Sequence, residues 1–308
     1  MKAILRVIRI LNLFIILLTM SGVAFYLLRT YYYQPIDFSY LYYALLIITT
    51  MIIAAAGNMI NDYFDVKADR INKPDKLVIS KHIEKKKVIV IHWFLNVIAA
   101  GMSVLLTIKY NTFLFLFVHL AAMNLLWFYS AYIKKKLLLG NLLIAGLTSL
   151  VPLLSVWFFK TSNESAQPYS PYHAETWGVY LDYSFIYFTV FCAFFENLAR
   201  EISKDIQDVT GDKLIHVISL PMKIGVKKAG WIAVLLLQIP TFLGIYVISQ
   251  HLIPINLVSI LLLGVCAALN FSCIVITFIH RVFPFQIVNT VIKWSMLIGV
   301  TTFFTNTL

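Results

Sequence analysis

Nine long apolar stretches divide this chain and constrain its fold more than any other feature of the sequence. They lie at residues 7–28, 40–60, 88–108, 112–132, 137–159, 183–199, 230–250, 253–278 and 285–306. Most are close to the roughly 17–25 residues that a helix needs to cross the hydrocarbon core of a bilayer. The stretch at 183–199 is the least apolar, because Glu196 and Asn197 lie near its end. The sequence therefore predicts an all-α membrane bundle of nine transmembrane helices around a central cavity, folded as one domain over residues 1–308.

Composition and the start of the chain agree with this fold class. Hydrophobic residues make up 60% of the chain and charged residues 13%, compared with about 45–50% and 25% in soluble domains. The first apolar stretch follows Lys2, Arg6 and Arg9, as a secretory signal would. It is longer than the apolar part of such a signal, and no Ala-x-Ala cleavage site follows it. We therefore expect it to be the first membrane helix.

The basic residues follow the predicted membrane topology. The 25 lysine and arginine residues give a net charge of +11, and most lie at the N-terminus, after the fourth stretch, or within residues 61–87 and 200–228. All of these segments fall on one side of the nine-helix topology. By the positive-inside rule that side is cytoplasmic, whereas the C-terminus and the long loop Thr161–Gly178 lie outside. The charge therefore indicates orientation in a bilayer and not binding to nucleic acid.

A pattern of carboxylates occurs once in each half of the chain, directly after an apolar stretch. The two copies are Asp62, Asp65 and Asp69, and Asp205, Asp208 and Asp212. Both read Asp-x2-Asp-x3-Asp followed by a base, and this spacing places three carboxylates on one face of a helix. A solvated loop that balances nearby lysines would explain one copy, but it does not explain two copies with the same spacing. We therefore expect both copies to face one pocket.

Six carboxylates around one pocket repel each other unless multivalent cations neutralise them. Oxygen ligands suit Mg²⁺, which commonly bridges a few carboxylates to the phosphates of a substrate. Asn58 and Glu201 lie four residues before the first aspartate of each copy and extend the same helical faces. Polar stripes of this kind are costly near a membrane unless they line a polar cavity. The sequence thus predicts Mg²⁺-dependent chemistry on a diphosphate, with Asn58 and Glu201 beside the substrate.

The sequence segments around the two motifs resemble those of the UbiA-type intramembrane prenyltransferases. They are Asn61-Asp-Tyr-Phe-Asp65, Asp69-Arg-Ile-Asn-Lys-Pro-Asp75 and Arg200-Glu-Ile-Ser-Lys-Asp-Ile-Gln-Asp-Val-Thr-Gly-Asp212. The helix count and the cytoplasmic motifs also agree, so the resemblance covers essentially the whole chain. It implies transfer of a prenyl group from a polyprenyl diphosphate to a lipophilic acceptor. It also implies that Mg²⁺ is held by Asn61 and the six aspartates, with Asp65, Asp69, Asp208 and Asp212 as the catalytic carboxylates.

Other bases and polar residues are candidates for binding the substrates. Ionisation of an allylic carbon–oxygen bond releases a highly charged diphosphate, so cations are needed where that charge develops. Arg70, Lys76 and Lys213 are candidates for this role, although each also fits the positive-inside rule. Many relatives have Arg-Pro where this chain has Lys76-Leu77.

Two further segments resemble the family pattern. Its Arg-x2-Asn entry in the first helix matches Arg9 and Asn12, and the segment joining its fourth and fifth helices matches Tyr129, Lys134 and Asn141. The resemblance implies that Arg9, Asn12, Tyr129 and Lys134 contact the substrates. For Asn12 and Asn141 the alternative is a hydrogen bond between helices, a common use of polar residues in membranes.

The acceptor and the wider function class leave alternatives open. The second motif looks most like the branch that prenylates geranylgeranylglyceryl phosphate, whose own phosphate would need bases such as Arg9, Lys134 and Lys204. Enzymes that prenylate aromatic acids in quinone synthesis are the alternative. Acidic residues beside membrane helices also occur in cation-coupled transporters, but there the coupling residues tend to lie near mid-membrane on broken helices. A structural membrane protein with a cation-binding loop does not explain the duplicated motif.

Several residues inside the apolar stretches are predicted to have no part in this chemistry. His92 and His119 lack partners at ligand spacing, and the three cysteines lack redox or metal spacing, so we expect buried structural roles for all five. Lys293 lies within the ninth stretch, where an ionisable residue is functional by default. Its position near the cytoplasmic end equally fits a side chain that extends to the interface.

Overall fold

The computed structural model describes residues 2–30, 38–72, 74–166, 183–214 and 217–306. In chain order the helices are α1 (Lys2–Val7), α2 (Ile10–Thr30), α3 (Tyr40–Asn72), α4 (Lys85–Tyr110), α5 (Leu114–Ala131), α6 (Leu139–Ser149), α7 (Val151–Ala166), α8 (Ser184–Leu214), α9 (Leu220–Ile224), α10 (Val226–Ser249), α11 (Leu257–Ile279) and α12 (Phe285–Thr305). Short 3₁₀ turns occupy Pro74–Lys76 and Ile133–Lys135. No β-strand occurs within the described ranges, and the all-α prediction is confirmed.

Eight segments are long and apolar enough to cross a membrane. They are α2, α3, α4, α5, the α6–α7 unit Leu139–Asn163, α10, α11 and α12. The protein is therefore an integral membrane protein. The remaining predicted span, 183–199, corresponds to the first half of α8, which does not meet the same criterion because Glu196, Arg200 and Glu201 interrupt its apolar run. A count of nine spans is thus not confirmed.

Two large clusters of buried apolar side chains hold the helices of the bundle together. The first joins α2, α3, α4, α5 and α7 through residues that include Met20, Leu46, Leu106, Phe115 and Phe158. The second joins α6, α8, α10, α11 and α12 through residues that include Ala145, Ala199, Ala233, Cys273 and Ile292. Large apolar side chains also cover the outside of the bundle, where Leu41, Phe117 and Phe278 are more than 70% exposed. Such an exposed surface suits contact with lipid tails.

The first predicted membrane helix is confirmed as α2, and the chain is interrupted just before it. Helix α1 ends at Val7 and α2 begins at Ile10. Arg9 lies in the break with a φ of 54°, a left-handed conformation that is uncommon for residues other than glycine. Asn58 Nδ2 donates to the carbonyl oxygen of Ile8 at 3.1 Å. A side chain from α3 thus satisfies a carbonyl that the broken helix leaves free.

Two connections between helices bear on the predicted topology. The connection between the third and fourth apolar stretches is a tight turn, since Asn111 closes α4 in the left-handed conformation with a φ of 48° and α5 begins at Leu114. The predicted outside loop Thr161–Gly178 begins too early, because α7 continues as helix to Ala166. The remainder of that loop lies outside the described residues.

Candidate active site

Both carboxylate motifs lie on the wall of one cavity of about 2300 Å³. Helices α3 and α8 continue well beyond their apolar runs, to Asn72 and Leu214, so each motif sits on the last turns of a long helix. The cavity is lined by all six aspartates: Asp62, Asp65, Asp69, Asp205, Asp208 and Asp212. The helical spacing of each motif therefore directs two sets of carboxylates into the same space.

Most of the other predicted site residues also line this cavity. They are Arg9, Asn12, Asn58, Asn61, Tyr129, Lys134, Glu201 and Lys204. Arg70 and Lys213 are exposed and do not line the cavity. The side chain of Lys76 lies outside the described residues. The structure thus brings the two motifs and their polar extensions together, but it does not bring Arg70 and Lys213 to them.

Two carboxylates of the first motif are paired with bases that other segments supply. Arg9 Nη2 lies 2.7 Å from Asp62 Oδ1, and Lys134 Nζ forms an ion pair with Asp65 Oδ1. Arg9 comes from the break between α1 and α2, and Lys134 from the 3₁₀ turn before α6. A Cβ on Gly140 would lie 2.9 Å from the Cα of Lys134, so a glycine is needed for this turn to pack closely on α6.

The second motif is held differently. Asp205 Oδ2 accepts a hydrogen bond from Asn141 Nδ2 of α6 at 2.9 Å, so the interhelical bond considered for Asn141 is present and ends on a carboxylate of the motif. Within the described residues no base lies within ion-pair distance of Asp205. The neighbouring Lys204 forms its ion pair with Glu201, three residues earlier on the same helix.

A direct link joins the ends of α3 and α8, and its residues were not assigned a role from the sequence. Asn72 Nδ2 donates to the carbonyl oxygen of Asp208 at 2.9 Å, and the backbone N–H of Gly211 donates to Asn72 Oδ1 at 2.7 Å. A Cβ on Gly211 would lie 2.5 Å from Asn72 Nδ2 and 2.7 Å from the carbonyl oxygen of Ala68. Gly211, inside the second motif, is the sequence feature that could have indicated this contact between α3 and α8, because glycine permits two backbones to approach closely.

The residues at the cavity fit a hard divalent cation. The side chains of the motifs offer only oxygen ligands, and Asn61 Oδ1 is buried with no hydrogen-bond partner in the described part of the chain. In the same part, no three His, Cys, Asp or Glu side chains converge on one point. A cation here would be held by one or two carboxylates and would complete its shell with phosphate oxygens and water. Mg²⁺ is commonly bound in this way.

Polar residues farther from the motifs make structural contacts. Glu196, on the same cavity wall, accepts hydrogen bonds from Ser295 Oγ at 2.8 Å and Asn270 Nδ2 at 3.4 Å. His92 Nδ1 lies 2.9 Å from the carbonyl oxygen of Ala56, and His119 Nδ1 lies 2.7 Å from Ser103 Oγ. The three cysteines are free thiols, and the exposed Lys293 reaches the cavity wall.

Comparison with known sequences identifies the family. The profile of the UbiA prenyltransferase family matches residues 18–282. The digeranylgeranylglyceryl phosphate synthase of Pyrococcus horikoshii is 32% identical over 215 residues, which cover 68% of this chain and 67% of that protein. The same enzyme of Saccharolobus solfataricus is 32% identical over 222 residues, which cover 68% and 71%. The chain therefore belongs to the UbiA prenyltransferase family. It is a prenyltransferase, and the transporter and structural alternatives are set aside.

Solved structures share the fold along nearly the whole chain. A structure from work on digeranylgeranylglyceryl phosphate synthase in membranes has a TM-score of 0.67 at 24% identity and covers 99% of this chain and 98% of the other. A UbiA homologue from Archaeoglobus fulgidus bound to DMAPP and Mg²⁺ has a TM-score of 0.57 at 14% identity and covers 98% of both. At these identities the likeness shows the fold.

Proposed function

We propose that this chain transfers a geranylgeranyl group from its diphosphate to geranylgeranylglyceryl phosphate and releases diphosphate. The observation that carries the proposal is the shared cavity, which holds both carboxylate motifs beside the half-buried bases Arg9, Lys134, Arg200 and Lys204. A cavity for two anionic lipids needs cations for the donor and further bases for the acceptor. Relatives that share 32% identity and are named for the diether lipid product support this acceptor.

The donor diphosphate binds at the two carboxylate motifs. Bound Mg²⁺ would supply positive charge to the leaving diphosphate. The ions would be held by oxygen ligands drawn from both motifs, namely Asn61, Asp62, Asp65, Asp69, Asp205, Asp208 and Asp212. Lys134 and Arg9, which pair with Asp65 and Asp62, are placed to donate to phosphate oxygens as charge develops on them. Arg70, Lys76 and Lys213 follow the last aspartates and remain candidates for outer contacts with the diphosphate.

The acceptor hydroxyl attacks the allylic carbon. Its oxygen forms the new ether bond while the carbon–oxygen bond to diphosphate breaks, and the hydroxyl proton passes to the departing diphosphate or to water. A neutral hydroxyl needs little activation once cation character develops on the allylic carbon. Tyr129, Asn12 and Asn58 lie on the same wall and can orient the polar groups. Apolar side chains such as Leu125 and Trp157 line the remainder and suit the isoprenoid tails.

We also infer that α8 is a ninth span, with its charged side chains turned into the cavity. Glu196, Arg200 and Glu201, which interrupt its apolar run, all line the cavity. Polar residues inside membrane proteins face such interiors and not lipid. Together with the positive-inside rule, nine spans place the N-terminus and both motifs in the cytoplasm and the C-terminus outside.

Thiol labelling tests this orientation. Single cysteines at Lys85 and Ser165, in a chain that lacks the native three, should react differently with an impermeant reagent added to intact cells. We expect only the cysteine at position 165 to react before the membrane is opened. Equal labelling of both positions from outside would show that the nine-span topology is wrong.

A product analysis tests the reaction. Purified protein receives geranylgeranyl diphosphate and Mg²⁺ with either geranylgeranylglyceryl phosphate or 4-hydroxybenzoate, and mass spectrometry identifies the products. We expect a diether product from the first acceptor and none from the second. Prenylation of the benzoate alone would favour quinone synthesis over this assignment and would leave the prenyltransferase class intact.

A further inference from the structure

The half-buried bases on the described cavity wall differ in their partners. Arg9 pairs with Asp62, Lys134 with Asp65, and Lys204 with Glu201. The fourth, Arg200, lies on α8 and lines the same cavity. Its Nε atom is buried without a hydrogen-bond partner in the described part of the chain, and no carboxylate there lies within ion-pair distance of it. Arg200 is therefore a positive charge on the wall that forms no ion pair with a carboxylate of the described residues.

The surroundings of Arg200 make this charge costly unless an anion is present. Lys204 lies four residues later and so shares its helical face, where like charges repel. The charge of Arg9 also acts on Glu201 and Lys204, as does that of Arg200. Of the three bases at this corner of the cavity, Arg9 and Lys204 have carboxylate partners and Arg200 has none among the described residues. Withdrawing an unpaired charge from water is unfavourable, so the corner is suited to an anionic ligand.

Arg200 lies apart from the last aspartates of the motif on α8. At 1.5 Å per residue, Arg200 lies about 12 Å along α8 from Asp208 and about 18 Å from Asp212. One diphosphate centred on the last aspartates does not extend over that distance. A second anionic group can therefore contact Arg200 while the diphosphate occupies the last aspartates. A guanidinium offers a planar set of donors that matches phosphate oxygens.

We propose that Arg200 binds the phosphate monoester of the acceptor lipid and so determines that the acceptor is phosphorylated. This inference rests on the proposed function, because the acceptor must be a glyceryl phosphate lipid. With the phosphate on Arg200, the neighbouring glycerol hydroxyl is directed along α8 towards the carboxylate motifs and the allylic carbon. The phosphate monoester itself is unchanged by the reaction.

A comparison of two acceptors tests the role of Arg200. Geranylgeranylglyceryl phosphate and geranylgeranylglycerol, which lacks the phosphate, are each supplied with geranylgeranyl diphosphate. Arg200→Ala is expected to lower kcat/KM for the phosphorylated acceptor about 10–100-fold, chiefly through KM, as loss of a hydrogen-bonded charge contact would. For geranylgeranylglycerol, kcat/KM is expected to stay within about twofold of the wild-type value, as is KM for the donor. Arg200→Lys should restore part of the loss.

Matched variants separate this role from a structural one. Arg281→Ala removes an exposed arginine that does not line the cavity and should leave both reactions unchanged. If Arg200→Ala does not fold, Arg200→Gln keeps most of the side-chain length without the charge and replaces it in the test.

Three outcomes would overturn the inference. They are an equal loss with both acceptors, a raised KM for the donor alone, and a wild-type enzyme that does not distinguish the two acceptors. A wild-type enzyme that prenylates neither acceptor would instead refute the proposed function.

Discussion

The two carboxylate motifs share a spacing but differ in what holds their carboxylates. On α3, Asp62 and Asp65 are paired with Arg9 and Lys134. On α8, Asp205 accepts a hydrogen bond from the neutral amide of Asn141. The first motif therefore has part of its negative charge neutralised by the protein, whereas Asp205 has no basic partner among the described residues.

This difference shows that a repeated spacing does not make two sites equivalent. A substrate or metal ion at the first motif would share Asp62 and Asp65 with the bases that already pair with them. At Asp205 a cation meets no competing base from the described residues. We therefore expect the bases of the first motif to act mainly on the diphosphate, and Asp205 to contribute more than Asp62 to binding of the divalent ion.

Loss of a central aspartate from both motifs should have the largest effect. Asp65→Ala and Asp208→Ala are each expected to lower prenyl transfer by on the order of 10²–10³-fold, because each removes a group that positions charge at the leaving diphosphate. Asp69→Ala and Asp212→Ala should behave in the same way. Excess EDTA should likewise abolish transfer by the wild-type enzyme.

The double variant Asp65→Ala/Asp208→Ala asks whether both motifs serve one reaction. It should show no measurable transfer while its thermal unfolding in detergent stays close to that of the wild type. Full activity of the double variant, or of the wild type in EDTA, would refute the metal-dependent mechanism.

Loss of a base from the first motif should have the next largest effect. Lys134→Met is expected to lower kcat/KM for the prenyl diphosphate about 10–100-fold, because a charged donor to phosphate oxygens is lost. The matched control is Lys86→Met, at an exposed lysine that does not line the cavity. Asn141→Ala should have a smaller effect than Lys134→Met, since it removes a neutral donor. The opposite order would contradict the contrast between the motifs.

The link between the two motifs should respond to an added methyl group. Gly211→Ala places a Cβ against Asn72 and the carbonyl oxygen of Ala68, and overpacking of this kind costs about 1–3 kcal/mol. We expect a lower unfolding temperature in detergent and weaker transfer. Gly146→Ala is the control, since no atom lies within 4 Å of the added Cβ at that helical glycine.

The double variant Gly211→Ala/Asn72→Ala sharpens this test. It removes the amide that the new methyl group would contact, and it should recover part of the unfolding temperature. No recovery would show that the clash with Ala68 dominates, and a stable, fully active Gly211→Ala variant would show that the helix ends do not need this close approach.

The motifs could be predicted from the sequence, but their partners could not. A spacing of three and four residues fixes which side chains share a helical face, so each set of carboxylates was predictable from α3 or α8 alone. The base on Asp62 comes from 53 residues away, and the base on Asp65 from 69 residues away. Only tertiary packing selects these partners from many cytoplasmic lysines and arginines. For the same reason, Asn72 carries no signal in the sequence that it binds the backbone of α8.

The local chain conformation at Arg9 was also beyond sequence reasoning. The apolar run from residue 7 predicts a continuous helix, and no proline or glycine marks a break there. The break is supported by the hydrogen bond from Asn58 and by the ion pair with Asp62. Both contacts come from α3, so the tertiary interaction overrides the local helical preference.

The first aspartate of each motif provides the most direct comparison, with the smallest expected effect. Asp62→Asn and Asp205→Asn remove one charge each and keep the side-chain shape. Arg9 already neutralises Asp62, whereas Asp205 has no such base, so we expect Asp205→Asn to raise the Mg²⁺ concentration for half-maximal activity several-fold and Asp62→Asn to raise it less. Activity at saturating Mg²⁺ should fall only modestly in both, because the other carboxylates remain. Measurement of the Mg²⁺ dependence at fixed substrate concentrations decides this, and equal shifts would show that the two motifs bind the ion alike despite their different partners.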